Sequence, residues 1–418
     1  MFKPLSTYIC LPVFFLAMLS LECVSQNATE QLADRLNTHV IPIMFGGDRF
    51  DHTKISDKLE NYSIIGLGEA THGTKEFFEG KADIILTLIK KGIVKTVYFE
   101  SDYVGLTALN DFLRDPNRND LKEAVRQSGL FGIYKTKEVY NMLEGIKAYN
   151  MGCKEVNRVS VYGIDMYVPH ISRGIRNILT SYSVDIETKQ QLKLLDSLFK
   201  EHSYEYTVPV SKTVEAANER LFKTLDSISE NHKDKELTLY TILLKRGIQI
   251  RAVKNAKQVR DIRDQLMASN IIWIHENIAP EGNGVVWAHN GHIANTKLSA
   301  SYRMGYYLKQ HFNDRYYALA FTFNEGSVRF FGKSVHYPAT SKKNAIEYVF
   351  ARCKPKNFFL DLNEIRHDRN LAKQLSRFPY MRSIGATELK QSFFYIPLLK
   401  AFDGVVFYNS TNMTKGLN

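Results

Sequence analysis

The chain has 418 residues, of which 44% are hydrophobic and 12% aromatic, and this composition excludes a disordered protein. The formal net charge is +11. The basic residues are scattered among acidic ones and form no zinc-finger, RNP or basic-arm pattern, so we expect a solvated basic surface and no nucleic-acid partner.

The N-terminus has the pattern of an export signal. Lys3 precedes an apolar run from Tyr8 to Leu21, and Ser25 is a small residue at a position where signal peptidase cleaves. We therefore predict a signal peptide over 1–25, a mature domain over 26–418 and a periplasmic or secreted location. The apolar run is shorter than a membrane span, and we expect no span later in the chain.

The cysteines give two further expectations. Glu22 stands directly before Cys23, and this disfavours lipid anchoring at that cysteine. Cleavage would leave Cys153 and Cys353. Export permits a disulfide, but the sequence does not pair these two residues, and we interpret both as small buried apolar side chains.

Six short apolar runs predict buried strands, and each ends abruptly in polar residues. They are Ser63–Leu67, Val94–Phe99, Val159–Ile164, Val285–Ala288, Tyr316–Phe323 and Val405–Tyr408. Helical periodicity lies between them, from Thr74 to Lys91 and, with a break near Gly129–Gly132, from Leu121 to Tyr149. Strands that alternate with helices predict an α/β fold with a mainly parallel sheet flanked by helices.

The segment from about 185 to 277 is different in composition. It is rich in Lys, Glu, Leu and Gln and contains no convincing strand. We predict long amphipathic helices there, which form a helical insert or subdomain. Gly66-Leu67-Gly68 lacks the third glycine of a dinucleotide-binding loop.

Glu69 and His72 follow the first predicted strand, in Gly68-Glu-Ala-Thr-His-Gly73. In open parallel sheets, ligands bind beyond the carboxyl ends of the strands. Residues three apart share one side of a helical turn, so Glu69 could orient His72 as a general base. Alternatively, Glu69 caps the helix that begins near Thr74 and His72 is a turn residue.

His289 and His292 follow another predicted strand in the same way. At this spacing the two imidazoles could reach a common point, where they would donate hydrogen bonds to an oxyanion or bind a metal. The alternative is a polar loop with two exposed histidines. The apolar strand before them favours the functional interpretation.

Glu100 ends the second predicted strand, where a buried carboxylate is costly unless it is paired. It could orient a histidine, hold a cation or form a structural ion pair. Asp165 occupies the same position on the third strand, and there we favour a structural role.

Lys81 and Arg263 are candidates for substrate binding. Lys81 lies beside the apolar stripe of the first long helix, where a lysine commonly extends its amine to solvent, but it could also reach the edge of the site. Arg263, with Asp264, could position a substrate or lock its helix onto the sheet, and the structural role is favoured.

Together these segments resemble the erythromycin esterase family. The matching pieces are Gly68–Gly73, Phe99-Glu100, Arg263–Ala268, Trp287–His292, Met304–Tyr306 and Phe402–Val406. They occur in the family's order and span most of the chain after the predicted signal peptide. Lys81 is a departure, since some members have an arginine there; lysine keeps the charge but lacks the planar fork.

The resemblance implies hydrolysis of the macrolactone ester of macrolides such as erythromycin, and hence inactivation of the antibiotic. It implies His72 as the base that activates water, Glu69 and Glu100 as its acidic partners, and His289 and His292 as the remaining site imidazoles. Gly-x-Ser-x-Gly is absent, so no serine nucleophile is expected.

Two alternatives remain open. Glu69, His72, Glu100, His289 and His292 are also a plausible ligand set for a divalent metal in a hydrolase of another ester or an amide, although we expect no cofactor. The chain could instead be a non-catalytic, envelope-associated binding protein. The expected partner is a small-molecule ester such as a macrolide, and no oligomeric state is predicted.

Overall fold

A nine-stranded sheet forms the centre of the protein. The computed structural model describes residues 28–46, 49–199, 211–253, 255–389 and 391–417, so the predicted signal peptide and Cys23 lie outside the described residues. The strands of the sheet are β1 (Val40–Pro42), β4 (Ile64–Leu67), β5 (Val94–Asp102), β6 (Ser160–Asp165), β7 (Asn283–Trp287), β8 (Tyr316–Phe330), β9 (Lys333–Tyr337), β10 (Asn357–Asp361) and β13 (Gly404–Thr411). Two small ribbons pair β2 (Phe45–Gly46) with β3 (Arg49–Phe50) and β11 (Tyr380–Arg382) with β12 (Phe393–Tyr395).

The strand order across the sheet is β1-β10-β13-β8-β4-β7-β5-β6, and β9 pairs with the far end of β8. The six strands from β13 to β6 are all parallel. Antiparallel pairing is confined to β1, β10 and β9 among these strands. The predicted fold class, α/β with a mainly parallel sheet flanked by helices, is confirmed.

Each of the six predicted strands corresponds to one of the parallel strands. In β4, Ile64 faces the core on one side of the sheet and Ile65 faces the core on the other. A strand covered on both faces needs apolar residues at every position, and this is why its sequence reads as an unbroken apolar run.

Helices cover both faces of this sheet. They are α1 (28–36), α2 (Thr53–Leu59), α3 (Lys75–Lys90), α4 (Tyr103–Arg114), α5 (Leu121–Gln127), α6 (Lys137–Met151), α7 (Val168–Ile178), α8 (Ile186–Phe199), α9 (Lys212–His232), α10 (Lys235–Arg251), α11 (Ala256–Asn277), α12 (Asn290–Ile293), α13 (Met304–Phe312), α14 (Ile346–Phe350), α15 (Leu362–His367), α16 (Arg369–Leu375) and α17 (Leu398–Ala401). Helices α2 to α6 line the core on one face, and α1 with α7 to α17 line the other.

The described residues between 185 and 277 form α8 to α11 and contain no strand. Helix α11 packs against β6 and α13, and this contact brings the middle of α11 to the sheet edge where β6 ends. Whether these helices form an insert separable from the rest of the domain stays a prediction.

Both cysteines within the described ranges are free thiols. Cys353 is buried, as we interpreted it, and burial raises the pKa of its thiol to about 12. Cys153 is only half-buried, because it lies just after the end of α6, and this corrects our interpretation of that residue. In the described part of the chain, no helix is long and apolar enough to cross a membrane.

Candidate active site

Polar side chains from neighbouring strands meet at the carboxyl edge of the sheet. Glu69 follows β4, Glu100 lies near the end of β5, and His289 follows β7, which pairs with both of those strands. The backbone N–H of Asn290 donates to the carbonyl of Glu69 at 2.9 Å. The register of β4 and β7 therefore continues into the two loops and holds them together.

Glu69 and His72 form a direct pair. Nδ1 of His72 lies 2.6 Å from Oε1 of Glu69, and both side chains are buried. The alternative role for Glu69, capping of the next helix, is not what the structure shows, because the N-cap of α3 is Thr74 and Glu69 binds His72 instead. In the described part of the chain, Nε2 of His72 has no hydrogen-bond partner, so it is the ring atom left for a ligand.

The backbone of the loop that carries His72 lies so close to β8 that only glycine fits at position 73. A Cβ at Gly73 would lie 2.1 Å from the backbone oxygen of Arg329. The Gly73 carbonyl accepts from the backbone N–H groups of Arg329 and Thr414, each at 3.0 Å. The turn is thus clamped against the extended end of β8, which fixes the backbone beside His72.

Lys81 lies beneath this pair, fully buried, and its amine donates to Oε2 of Glu69. The amine also lies 4.4 Å from the ring centre of Trp287, on β7. Burial lowers the pKa of Lys81 to about 8 against the opposing attraction of Glu69. Lys81 therefore does not extend its amine to solvent, but it does reach the site, where it binds Glu69 of the Glu69–His72 pair. Its role in substrate binding stays a prediction.

Glu100 belongs to a second charged network. Its Oε1 lies 3.1 Å from Nε2 of His292 and 3.3 Å from Nη2 of Arg263, while its Oε2 accepts from the backbone N–H of His289 at 3.2 Å. Burial opposes the ionisation of Glu100, but His292 and Arg263 outweigh it and hold its pKa well below the usual value. Arg263 also binds Asp165 at 2.6 Å.

His292 is held between two carboxylates. Its Nδ1 lies 2.6 Å from Oδ1 of Asp264, opposite the contact of Nε2 with Glu100. Desolvation disfavours the charged ring, but Asp264 and Glu100 raise its pKa to about 10. His292 is therefore an imidazolium at neutral pH.

His289 has the opposite character. Its Nδ1 accepts from the backbone N–H of Gly291 at 3.0 Å, so the ring proton is on Nε2, which faces the carbonyl of Ala70 at 3.3 Å. Burial and the neighbouring His72 and His292 lower the pKa of His289 to about 3. The ring centres of His72 and His289 are 5.3 Å apart. The two histidines of this motif, which were interchangeable in the sequence, are thus one neutral and one charged.

Two residues of the site were not singled out in the sequence. Arg303 binds Asp264 at 3.3 Å, and Tyr134 is a buried phenol whose ring centre lies 5.9 Å from that of His72. Asp264, which we had considered with Arg263, binds His292. Tyr134 lies in the predicted helix break, where no pattern distinguishes it.

Two cavities flank the pair formed by His72 and His289. One, of about 340 Å³, is lined mainly by cations and apolar residues. Its lining includes His289, His292, Arg260, Arg263 and Arg303, one acidic residue, Asp264, and apolar residues of β12 and its neighbours. The other, of about 390 Å³, is lined by His72 and mainly apolar side chains. His289 and His292 therefore face a cationic cavity and His72 faces an apolar one, while Glu69 and Glu100 line neither.

Metal ligation would require free donor atoms on these side chains. Within the described ranges, no group of three or more His, Cys, Asp and Glu side chains is arranged to hold a metal ion. Both ring nitrogens of His292 are already paired with carboxylates, and Nδ1 of His289 accepts a backbone proton. The geometry fits hydrogen-bonded and ionic roles for these histidines better than ligation.

Comparison with known proteins identifies the family. A family model described as erythromycin esterase matches residues 89–411, which is most of the chain. The chain belongs to the erythromycin esterase family. Membership of this family suggests an ester hydrolase. The matched range begins after Glu69, His72 and Lys81, so these three residues rest on the geometry above.

Individual relatives of this erythromycin esterase family member are distant. The chain is 22% identical to erythromycin esterase type II of Escherichia coli over 415 residues, covering 86% of this chain and 92% of that protein. A protein of Bacillus cereus has a similar structure, with a TM-score of 0.74 and 21% identity over 93% of this chain and 99% of that one. An erythromycin esterase mutant, EreC, in its open conformation has a TM-score of 0.63 and 16% identity, covering 87% and 95%. These structures share the fold.

Proposed function

We propose that this protein hydrolyses a carboxylic ester with water that His72 activates. The observation that carries the proposal is the buried pair of His72 and Glu69, 2.6 Å apart, whose Nε2 side is free to meet a ligand at a cavity wall. A carboxylate that orients an imidazole is the usual arrangement of a general base. Family membership supports ester hydrolysis as the reaction class.

The proton pathway follows from the contacts of His72. Its Nδ1–H donates to Glu69, so Nε2 carries the lone pair that removes a proton from water as the oxygen attacks the ester carbonyl. Glu69 stabilises the imidazolium that forms, and Lys81 keeps that carboxylate oriented through its other oxygen. The imidazolium then returns the proton to the leaving alkoxide as the C–O bond breaks, so the products are a carboxylic acid and an alcohol.

The cationic cavity supports a role in charge stabilisation. His292 carries a positive charge, and charges in a buried site interact strongly even without direct contact. Arg263 and Arg303 line the same cavity and pair with the buried carboxylates of Asp165 and Asp264, of which Asp264 also belongs to the lining. We assign to this cationic wall the stabilisation of the negative charge that develops on the carbonyl oxygen.

We further propose that the ester that is hydrolysed is the lactone of a macrolide. Its support is the family and the name of the relative in Escherichia coli. The test is mass spectrometry of erythromycin after incubation with the protein, in which a gain of one water marks the opened ring. Unchanged erythromycin together with hydrolysis of simple esters would keep the reaction class and reject the macrolide.

A matched pair of variants tests the general base. His72→Ala is expected to lower kcat/KM by about 10² to 10⁴, the usual contribution of a general base. His170→Ala is the control, because His170 also pairs with a carboxylate at this edge of the sheet, 2.9 Å from Asp102, without lining either cavity beside His72. A His72→Ala protein with the rate of the wild type would reject the assignment.

Two further parts of the proposal come from the sequence. The mechanism uses no metal, so dialysis against a chelator is expected to leave the rate unchanged. The export-type N-terminus supports action in the periplasm or outside the cell, on a small-molecule ester.

A further inference from the structure

The cavity beside His72 has an apolar wall built from separate parts of the chain. Phe131 and Ile133 come from the segment between α5 and α6, and Phe331 comes from the turn between β8 and β9. Apart from His72, Arg329 is the residue with an ionisable side chain among those that line it. Three hydrophobic side chains therefore face an open cavity next to the proposed base.

Phe331 is the unusual member of this wall. Its side chain is 82% exposed, although most large apolar side chains of the described residues are buried. Its φ is +44° and that of Gly332 is +86°. A two-residue hairpin turn with both φ values positive favours Asn-Gly, and a bulky side chain at the first position is strained. Phe331 thus combines exposure of an aromatic ring with an unfavourable backbone conformation.

The hairpin is held in a fixed position relative to His72. The backbone N–H of Arg329 donates to the carbonyl of Gly73 at 3.0 Å, one residue from His72 and two from Phe331. The contact is so close that Gly73 leaves no room for a Cβ against the Arg329 backbone. A ring at position 331 is therefore presented to the cavity from a fixed hairpin.

We propose that Phe331, with Phe131 and Ile133, forms a subsite that binds an apolar acyl or alcohol group of the ester next to His72. Strained residues and exposed apolar clusters that persist in a fold commonly mark binding sites. The proposal rests on the proposed function, because it places one side of the scissile ester in this cavity. The carbonyl would then lie between the apolar cavity and the cationic one.

The test compares short and long esters. Activity is measured on p-nitrophenyl acetate and p-nitrophenyl octanoate, which vary the acyl group, and on methyl acetate and octyl acetate, which vary the alcohol. Phe331→Asn is expected to lower kcat/KM for the long ester of one series by about tenfold, from lost apolar burial, and to leave the short esters within about twofold. Because Asn-Gly suits the turn, the same variant is expected to have a higher Tm than the wild type.

Two controls separate binding from general effects. Phe331→Leu keeps an apolar side chain and is expected to restore most of the preference for the long ester. Val156→Asn removes another exposed apolar residue, which is 73% exposed and lines a different cavity. This variant is expected to leave kcat/KM unchanged for both the short and the long esters.

The outcomes distinguish the subsite from the reaction. The subsite is rejected, while ester hydrolysis stands, if Phe331→Asn leaves the ratio of kcat/KM for long and short esters unchanged in both series. A fall in kcat/KM that is equal for short and long esters has the same meaning. If the wild type cleaves these esters no faster than His72→Ala, the proposed function is rejected, and the subsite is rejected with it.

Discussion

Nδ1 of His292 lies 2.6 Å from Oδ1 of Asp264, and this ion pair connects α11 with α12, the short helix after β7. The second oxygen of Asp264 binds Arg303, and the backbone N–H of Met304 donates to the first at 3.1 Å. One carboxylate from the long helix thus fixes the charged histidine and the start of α13. The pairing determines both the protonation of the site and how α11 is attached to the sheet.

Asp264→Asn is expected to reduce stability more at pH 7 than near pH 10. The pKa of His292 is raised to about 10 in the folded protein from about 6.5. Its contribution is therefore fully present below pH 6.5 and is lost as pH rises through 10. The variant lacks one source of this shift, so the amount by which its Tm falls below that of the wild type should be larger at pH 7 than near pH 10. Equal differences in Tm at both pH values would contradict this role.

Lys81→Met is expected to lower kcat and to leave KM near the wild-type value. Methionine has a similar volume and can lie against Trp287, but it leaves one oxygen of Glu69 without its charged donor. The loss of a hydrogen bond between charged groups is worth about 1.5–3 kcal/mol, which corresponds to roughly 10- to 100-fold in rate if it acts on the transition state. Steady-state kinetics measures the effect, and circular dichroism shows that the variant is folded.

The kinetics of Lys81→Met distinguish a lysine that positions Glu69 from one that binds substrate. A substrate-binding lysine would change KM and leave kcat near the wild-type value. We expect the reverse, since Lys81 is fully buried behind Glu69.

His289→Asn is expected to make the protein less sensitive to acid. The pKa of His289 is lowered to about 3 from about 6.5. The unfolded chain therefore binds a proton that the folded one rejects, and stability falls as pH drops from 6.5 towards 3. Asparagine can still cap α12 in place of the His289 ring, which accepts from Gly291. The measurement is the fall in Tm between pH 7 and pH 5, which should be smaller for the variant; an identical fall would show that His289 is not the group responsible.

Gly73→Ala is expected to reduce stability and activity together. Its Cβ would meet the backbone of Arg329, which has no flexible end to move aside. Either the end of β8 or the His72 loop must shift, and overpacking of this kind costs about 1–3 kcal/mol. Gly152→Ala is the control, because its Cβ would meet only backbone atoms at 3.6 Å or more. Thermal unfolding and ester hydrolysis are measured on both, and a Gly73→Ala protein as active as Gly152→Ala would show that the loop tolerates the shift.

Much of the sheet and the placement of the candidate site could be predicted from the sequence. The six parallel strands are buried on both faces, so each appears as an apolar run that ends where the polar edge begins. This pattern placed Glu69, Glu100 and His289 at one edge before any contact was known. The outer strands β1 and β10 were not predicted; β1, at the edge of the sheet, has only three residues.

The pairing of charged side chains was decided only by the tertiary structure. Helical periodicity placed Lys81 beside an apolar stripe, but its contact with Glu69 depends on how α3 packs over the sheet. Likewise, His289 and His292 look equivalent in sequence, and only the distant Asp264 and Glu100 make His292 charged while burial keeps His289 neutral. Apolar patterning is a local property of the chain, whereas pKa values and ion pairs depend on residues that strand order brings together from far apart.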